Sequence, residues 1–297
     1  MDERLLRMLK MNDVEYKLNQ DLSALTSIKI GGIAELVILP DTVEKLISVA
    51  EYFRNKGSYF KIVGRMTNIL PPDGKLLIPV VTTRRLLGFS VSDGIVSANA
   101  GESLARILRA CAVQNLGGCE ALSGIPGTLG GLVAMNAGAF GSEISDFFID
   151  GFFYDMKSGE KTHLTKSDMG FSYRSSILHR GDLLLLSLRL KLSKKECAEV
   201  LSDIEEYREK RRLSQPTEPS LGSVFMRGEG IIPAKLIDEC GLRGVKIGGA
   251  EVSAKHAGFI VNRGGATAED FRTLVCYIKR EVMLRFEVSL SREVEYL

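Results

Sequence analysis

An uncharged stretch of the chain, residues 123–141, is unusually rich in glycine. It holds six glycines, with Pro126, Thr128 and Asn136 among them. Backbone without Cβ atoms can adopt positive φ and approach a ligand closely, so its N–H groups can point at a phosphate. A tight loop that lets two elements pack is the alternative, and it would explain a single Gly-Gly pair. The density of glycines favours a site for an anionic cofactor.

A second loop of suitable composition, residues 64–68 (GRMTN), follows a predicted strand. Its backbone N–H groups could contact a pyrophosphate, although a polar turn between a strand and a helix has the same composition. The sequence contains neither G-x-G-x-x-G nor G-x-x-x-x-G-K-[ST]. These motifs mark a Rossmann dinucleotide site and a P-loop, so neither kind of site is predicted.

Polar residues in three other segments are candidates for a part in a reaction. Arg174 lies among aromatic and hydroxyl residues, which could hold its guanidinium against a carboxylate or leave it solvated. Ser223 follows a Pro-rich stretch and could project its hydroxyl into a cleft or cap a turn. Glu293 and Glu295 share one face of a predicted strand. Their pattern fits a solvated pair and a catalytic acid equally.

The elements that would position the loop over residues 64–68 form a β-α-β unit. Residues 35–39 and 59–63 are predicted strands, and residues 43–56 a helix that Asp41 and Thr42 can cap. Gly57 ends this helix. Because ligands of open α/β sheets lie at the carboxyl ends of strands, the loop after residue 63 is well placed for binding.

The rest of the chain alternates predicted helices and strands. Further helices are predicted over residues 3–10, 102–115 and 194–212 and after a cap at 267–270; further strands are predicted over 76–81, 94–98, 147–155, 183–192 and 286–297. The last helix has one apolar face, formed by Phe271, Leu274, Val275, Ile278 and Val282. In the helix over 194–212, Ile204 and Tyr207 are expected to touch the core. Residues 214–220 form a Pro-rich connector, the best candidate for a domain boundary.

Composition narrows the class of protein. The 297 residues suffice for two or three domains, and 39 basic against 37 acidic residues argue against nucleic acid as the main partner. Five cysteines without a CxxC pair argue against a disulfide framework. The three histidines lack zinc-ligand spacing, so no metal site is predicted.

The sequence gives no reason to expect a membrane partner. Its charged N-terminus is not followed by an apolar signal region, so we expect a cytoplasmic protein. Residues 121–142 are uncharged and long enough to cross a bilayer. Their glycines, Pro126 and Asn136 would nevertheless make a poor membrane helix.

Taken together, the motifs resemble those of UDP-N-acetylenolpyruvoylglucosamine reductases, FAD enzymes of peptidoglycan precursor synthesis. The resemblance rests on residues 124–141, on Tyr-Arg-x-Ser at 173–176, on Gly-Ser-Val-Phe at 222–225 and on residues 290–294. These motifs occur in the family's order, and the resemblance extends from about residue 20 to the end. Segments 233–238 and 248–262 also resemble the family's substrate domain.

The resemblance implies an α+β fold with a two-lobed FAD-binding domain of the PCMH (vanillyl-alcohol oxidase-like) type and a smaller α+β substrate-binding domain. The expected boundaries are residues 1–80 and 81–195 for the two lobes and 196–297 for the substrate domain with its closing strand. The C-terminal strand is expected to join the first lobe. Little chain lies between Arg174 and the connector, which implies the shorter subtype of the family.

The implied reaction reduces the enolpyruvyl ether of UDP-N-acetylglucosamine to UDP-N-acetylmuramate. NADPH would reduce FAD, and hydride would pass from flavin N5 to the substrate β-carbon. Ser223 would then protonate the α-carbon, while Arg174 and a protonated Glu293 would stabilise charge on the substrate carboxylate. The alternatives are another FAD oxidoreductase of this fold, such as a sugar or alcohol oxidase, and a non-catalytic nucleotide-binding module.

The resemblance also implies which residues bind. The cofactor-binding candidates are Gly64, Arg65, Met66, Thr67, Asn68, Ser123, Gly124, Ile125, Pro126, Gly127, Thr128, Gly130, Gly131, Ala134, Asn136 and Ala137. The substrate-binding candidates are Tyr173, Arg227, Lys235 and His256.

The chain departs from the family pattern at five positions. Arg65 and Met66 stand where small residues are usual. Arg227 and Gly228 replace an Asn-Pro pair, and Ser291 replaces the first Glu of the terminal motif.

Overall fold

The computed structural model describes residues 2–297 and mixes helices with strands, as predicted. The helices are α1 (Glu3–Met11), α2 (Val43–Lys56), α3 (Leu104–Ala112), α4 (Leu129–Ala134), α5 (Ile144–Phe147), α6 (Cys197–Ser214), α7 (Pro233–Glu239) and α8 (Ala268–Phe286). The strands are β1 (Glu15–Asp21), β2 (Ile33–Leu39), β3 (Lys61–Val63), β4 (Ile69–Leu70), β5 (Val80–Thr82), β6 (Phe89–Ser92), β7 (Ile95–Asn99), β8 (Leu116–Gly117), β9 (Gly138–Ala139), β10 (Ser142–Glu143), β11 (Phe148–Asp155), β12 (Lys161–Thr165), β13 (Leu183–Lys191), β14 (Ser193–Lys194), β15 (Ser220–Ser223), β16 (Lys246–Ile247), β17 (Ala250–Val252), β18 (Phe259–Asn262) and β19 (Glu295–Tyr296).

The chain divides into two compact units, each with its own apolar core. The first unit comprises the described residues up to 18 together with 36–65 and 78–210. The second comprises residues 19–35, 66–77 and 211–297. Loop 64–68 therefore begins in the first unit and ends in the second. The assignment of residues 1–80, 81–195 and 196–297 to two cofactor lobes and a substrate domain stays a prediction.

The predicted β-α-β unit is present in the first unit. Helix α2 begins after Thr42, whose side chain accepts a hydrogen bond from the Lys45 N–H (3.2 Å), and ends at Gly57, where φ is +60°. Strands β2, β5 and β3 run parallel, and the register aligns Val63 with Thr82. The residues after these two positions therefore leave the sheet at the same edge.

The second sheet of this unit is antiparallel, in the order β12-β11-β13-β7-β6. Strands β7, β11 and β13 match their predicted positions to within one residue at each end. The prediction was too long for the strand over 76–81, where only Val80 and Val81 lie in β5.

Helix α3 is also shorter than predicted, because its N-cap is Ser103 and Asn115 adopts a positive φ of 56°. Helix α6 contacts the core through the partly buried Ile204, as predicted. The Tyr207 ring instead lies 5.0 Å from the Phe140 ring, measured between centroids. Phe140 belongs to the glycine-rich stretch and is largely exposed.

The second unit is built around α8 and the antiparallel sheet β15-β18-β17-β16. Helix α8 starts with a capping box between Thr267 and Asp270. The Asp73 carboxylate also accepts hydrogen bonds from the Ala268 and Glu269 N–H groups (2.6 and 3.0 Å), a favourable place for negative charge. The predicted apolar face of α8 is confirmed, since all five of its residues are buried.

The predicted strand over residues 286–297 is mostly wrong. Phe286 completes α8, and Glu287 ends this helix with a left-handed φ of 57°. Strand β19 contains only Glu295 and Tyr296 and pairs in parallel with β4. A hydrogen bond from the Glu293 N–H to the Val224 carbonyl (2.8 Å) holds part of the intervening segment.

Neither a membrane helix nor a metal cluster occurs in residues 2–297. Every helix there is too short or too polar to cross a bilayer, and no three His, Cys, Asp or Glu side chains are grouped to hold a metal ion. The five cysteines are free thiols. Burial raises the pKa of Cys111 and Cys119, which keeps both in the unreactive thiol form.

Glu102 is a fully buried carboxylate that anchors the start of α3. It accepts hydrogen bonds from the N–H groups of Ser103 and Gly88 (2.9 and 3.0 Å) and from the Arg106 guanidinium (2.7 Å). Burial opposes ionisation, but these three donors outweigh it and lower the pKa of Glu102 below its usual 4.5. Its backbone carbonyl accepts from the Leu129 N–H (2.9 Å), which links this anchor to the glycine-rich stretch.

Replacing Glu102 by Gln should lower the free energy of unfolding by about 1–3 kcal/mol at pH 7, because charge-assisted hydrogen bonds are lost. A carboxyl whose pKa is lower in the folded state than in the unfolded state stabilises the folded state at pH values above the unfolded pKa. This stability disappears as the pH falls through the folded pKa. Urea titrations should therefore show the difference from wild type shrinking below about pH 4.5.

Glu206→Gln is the matched control, because this exposed Glu pairs only with Lys210 on the surface of α6. It should change the stability by less than about 0.5 kcal/mol. A constant difference between wild type and Glu102→Gln down to pH 3 would contradict the role assigned to the carboxylate.

Candidate active site

The two predicted cofactor loops touch each other in the first unit. A Cβ atom on Gly64 would lie 2.3 Å from Thr128 Oγ1, so the approach is possible only for glycine. Thr128 is 1% exposed and caps α4 by accepting a hydrogen bond from the Gly131 N–H (3.3 Å). The end of β3 therefore lies directly against the turn that starts α4.

Backbone hydrogen bonds fix the glycine-rich stretch in place. The N–H groups of Leu129 and Gly130 donate to the carbonyls of Glu102 and Ala100 (2.9 and 2.8 Å). These two groups thus anchor the loop and do not offer their hydrogens to a ligand. Gly127 adopts a φ of +150°, which favours glycine.

The outer part of the same stretch faces solvent. The N–H groups of Ser123 and Ile125 close a short turn with the carbonyls of Glu120 and Leu122 (3.0 Å each). Exposed backbone follows at Gly124, Pro126 and Gly131, and Ala134 and Ala137 are half-buried. That residues of this stretch bind a cofactor stays a prediction.

The side chain of Asn136 is buried, hydrogen-bonded to other protein groups and not accessible to a ligand. It is 1% exposed, and its Nδ2 donates to Glu143 Oε2 (2.6 Å) and to the Ser172 carbonyl (3.1 Å). Its Oδ1 accepts from the Ser145 N–H (3.2 Å). These three bonds use the amide fully, so Asn136 positions the turn that carries Arg174.

Arg174 adopts a left-handed backbone conformation, with φ +55°. A non-glycine residue in this region costs of order 1–3 kcal/mol and persists only where its surroundings fix it. Its Nη2 donates to the Gly138 carbonyl (3.3 Å), and its guanidinium lies 4.9 Å from the centre of the Tyr173 ring. Arg174 is therefore held beside the glycine-rich stretch, while Tyr173 is 42% exposed.

Loop 64–68 carries two of the departures from the family pattern. Met66 is buried and adopts a φ of +52°, a conformation that suits the small residue usual there. Arg65 is exposed. In the second unit, Asn68 Nδ2 donates to the Glu293 carbonyl (3.1 Å), and the Asn68 carbonyl accepts from the Glu295 N–H (3.0 Å). Thr67 lies between Met66 and Asn68 and is half-buried.

Ser223 and Glu293 lie on neighbouring backbone segments of the second unit. Ser223 ends β15, where it pairs with Phe259 of β18. The next residue, Val224, accepts the hydrogen bond from the Glu293 N–H (2.8 Å). The side chain of Ser223 is exposed and that of Glu293 is half-buried, so both are accessible to a ligand of this unit.

One substrate-binding candidate, Arg227, contributes to the electrostatic environment of another, His256. Burial, and then the nearby cations of Arg243 and Arg227, lower the pKa of His256, which favours the neutral ring. Its Nδ1 accepts from the Gly258 N–H (3.1 Å), so Nε2 carries the proton. Arg227 itself is exposed.

Lys235 differs from the other substrate-binding candidates because it is a surface cation. Its ammonium lies 3.8 Å from Glu239 Oε1, and its side chain is 71% exposed.

The convergence of Arg174, which belongs to the first unit, with Ser223 and Glu293 stays a prediction.

Sequence reasoning missed two residues that shape this region. Glu143 accepts from the Asn136 amide, and no sequence signal indicates that contact. Arg84 leaves β5 at the same edge where Arg65 leaves β3. The pairing of the two predicted strands would have revealed Arg84, but the register was not available from the sequence.

Replacing Gly64 by Ala should destabilise the first unit by about 1–3 kcal/mol, because the new methyl group overlaps Thr128 Oγ1. Gly74→Ala is the control, since no atom lies within 4 Å of its added Cβ. Thermal and urea unfolding compare the two variants. Equal stability of both would contradict the close contact.

Replacing Asn136 by Ala should lower the free energy of unfolding by about 1–3 kcal/mol, because buried partners lose their hydrogen bonds. Asn99→Ala removes a single amide bond to the Leu87 carbonyl (2.9 Å) and should cost less. Urea unfolding measures both losses. A larger loss for Asn99→Ala would contradict the central position of Asn136.

Two family models match different parts of the chain. A model described as the C-terminal domain of UDP-N-acetylenolpyruvoylglucosamine reductase matches residues 215–297. A model described as an FAD binding domain matches residues 34–155. The predicted fold class, an FAD-binding domain of the PCMH type with a smaller α+β domain, is thereby confirmed.

Similar proteins cover nearly the whole chain. UDP-N-acetylenolpyruvoylglucosamine reductase from Caldicellulosiruptor saccharolyticus is 37% identical over 98% of this chain and 94% of its own. The enzyme of the same name from Clostridium tetani is 37% identical over 94% and 91%. The crystal structure of the reductase from Thermus caldophilus is 30% identical, with a TM-score of 0.78 over 95% of this chain and 98% of its own. The chain therefore belongs to the UDP-N-acetylenolpyruvoylglucosamine reductase family.

Proposed function

We propose that this protein reduces the enolpyruvyl ether of UDP-N-acetylglucosamine to UDP-N-acetylmuramate in peptidoglycan precursor synthesis, with FAD as cofactor and NADPH as reductant. The observation that carries the proposal is the backbone hydrogen bond from Glu293 to Val224 (2.8 Å). It joins two distant parts of the sequence, and it supports the proposal that Glu293 and Ser223, the residue before Val224, act together. The relatives that match the chain over more than nine-tenths of its length carry the name of this activity.

The residues of the first unit fit an FAD molecule. Exposed glycine backbone at Gly124 and Gly131 adjoins the contact between Gly64 and Thr128, which leaves open surface beside two loops. Backbone of this kind suits a diphosphate. When bound, FAD supplies the hydride that the reaction requires. The exposed and half-buried cofactor-binding candidates among residues 64–68 and 123–137 would hold it.

Ser223 is proposed as the proton donor to the substrate α-carbon. Its hydroxyl is exposed at the end of β15, and the strand pairing with Phe259 fixes its backbone. A donor held in this way delivers the proton to one face of the substrate only. A correctly placed acid is worth about 10²–10⁴ in rate.

Arg174 and Glu293 are proposed to stabilise the negative charge that develops on the substrate carboxylate. The strained backbone of Arg174 and its contact with Tyr173 hold the guanidinium in one orientation before the substrate binds. Glu293 is half-buried, and a substrate that covers it would favour the neutral carboxylic acid. Such preorganised donors contribute about 10²–10³ in rate each.

The anionic diphosphate of the substrate is proposed to bind cations of the second unit. Arg227 is exposed, and the neutral His256 beside it can donate from Nε2. Lys235 can turn from Glu239 to an anion, since its ion pair is long and exposed. Tyr173 orients Arg174 through its ring.

The alternative, a sugar or alcohol oxidase of this fold, is not favoured, because residues 215–297 match the C-terminal domain of the reductase family. The expected location in the cytoplasm stays a prediction. Purified protein should be yellow and should sustain NADPH consumption over many turnovers only when the enolpyruvyl nucleotide is present. A colourless protein that cannot be reconstituted with FAD would contradict the proposal.

Replacing Ser223 by Ala should leave flavin reduction by NADPH nearly intact. Reduction of the enolpyruvyl nucleotide should fall about 10²–10⁴-fold, because the proton donor is lost. Anaerobic stopped-flow absorbance separates the two half-reactions. Ser220→Ala, in the same strand, is the control and should leave both rates close to wild type. Equal loss of both half-reactions in Ser223→Ala would rule out the assigned role.

A further inference from the structure

Two arginines leave neighbouring strands of the first unit at the same edge. The parallel register aligns Val63 of β3 with Thr82 of β5, so Arg65 and Arg84 both lie two residues beyond an aligned pair. Thr82 Oγ1 donates to the Gly64 carbonyl (2.9 Å), which ties the two departing segments together. Arg65 and Arg84 are therefore neighbours because of the sheet register.

The charges of this pair are not balanced by acidic side chains. No carboxylate in residues 2–297 forms an ion pair with Arg65 or Arg84, whereas the adjacent Arg85 pairs with Glu15. Arg84 is half-buried, and burial, followed by the Arg65 cation, lowers the pKa of Arg84. Two like charges at a partly desolvated edge are unfavourable unless an anion binds between them.

The same edge adjoins the glycine-rich stretch. Gly64, which precedes Arg65, lies against Thr128 at the start of α4. On the other side, a Cβ atom on Gly101 would lie 1.9 Å from the Thr83 carbonyl, so the segment that anchors Gly130 packs against the residue preceding Arg84. The two cations thus border the backbone that suits a phosphate.

We propose that Arg65 and Arg84 form a two-arginine clamp for the diphosphate of FAD. The inference rests on the proposed function, and it adds charge to a site where the family usually has small residues in the loop. Planar guanidinium groups recognise phosphate oxygens through two parallel hydrogen bonds, which a lysine cannot reproduce. The clamp gives this chain a diphosphate contact from side chains in addition to its backbone.

The test is the affinity of apoprotein for FAD in Arg65→Gln, Arg84→Gln and the double variant, measured by the quenching of flavin fluorescence. Each single change should weaken FAD binding about tenfold to a hundredfold, the value of one charge-assisted contact. Riboflavin, which lacks phosphate, should bind within about twofold of wild type. Added salt should weaken FAD binding less in the double variant than in wild type.

Arg85→Gln is the matched control, because Arg85 adjoins Arg84 in sequence but pairs with Glu15. It should bind FAD like wild type. Arg65→Lys and Arg84→Lys should recover only part of the affinity. Urea unfolding of each apoprotein verifies that its fold is intact.

Three results would overturn the clamp. In the first, the double variant binds FAD as tightly as wild type. In the second, riboflavin affinity falls as much as FAD affinity. In the third, UDP affinity falls while FAD affinity is unchanged, which would assign the cations to the substrate diphosphate. If wild-type apoprotein itself fails to bind FAD, the proposed function fails together with the clamp, so the two failures are distinguishable.

Discussion

The contact between Gly64 and Thr128 is the constraint on which the first unit depends. The absent Cβ atom lets the end of a parallel strand touch the cap of α4, and backbone bonds from Leu129 and Gly130 fix the same turn from the other side. A methyl group at residue 64 would separate these segments. Two segments of the first unit that are distant in sequence are thus in contact because residue 64 has no side chain.

In the second unit, backbone hydrogen bonds hold segments that are distant in sequence together. Glu293 donates its N–H to the strand end at Val224, and its carbonyl accepts from the Asn68 amide. The backbone N–H and carbonyl of Glu293, in an irregular segment, are both hydrogen-bonded in this way. The side chains proposed for chemistry are therefore positioned by groups that are not themselves reactive.

Helices with strong local signals could be predicted almost to the residue. Helices α2 and α8 begin at Thr42 and Thr267, whose side chains cap the first turn, and the apolar face of α8 follows a simple period. The strand predicted over residues 286–297 is mostly wrong, because an alternating pattern does not reveal whether a partner strand is present. Helix α3 is shorter than predicted at both ends, because Ser103 is its N-cap and Val113 its C-cap.

The sequence by itself determined the family, the glycine-rich stretch and the identity of the candidate reactive residues, since these depend on residue types in a fixed order. Only the tertiary structure decided that the Asn136 amide is fully engaged by protein groups and that Met66 has a left-handed backbone. It alone placed Arg84 next to Arg65, through a register of paired strands. The physical reason is that caps and periodicity act over a few residues. Registers and buried hydrogen bonds join residues that the chain brings together only when it folds.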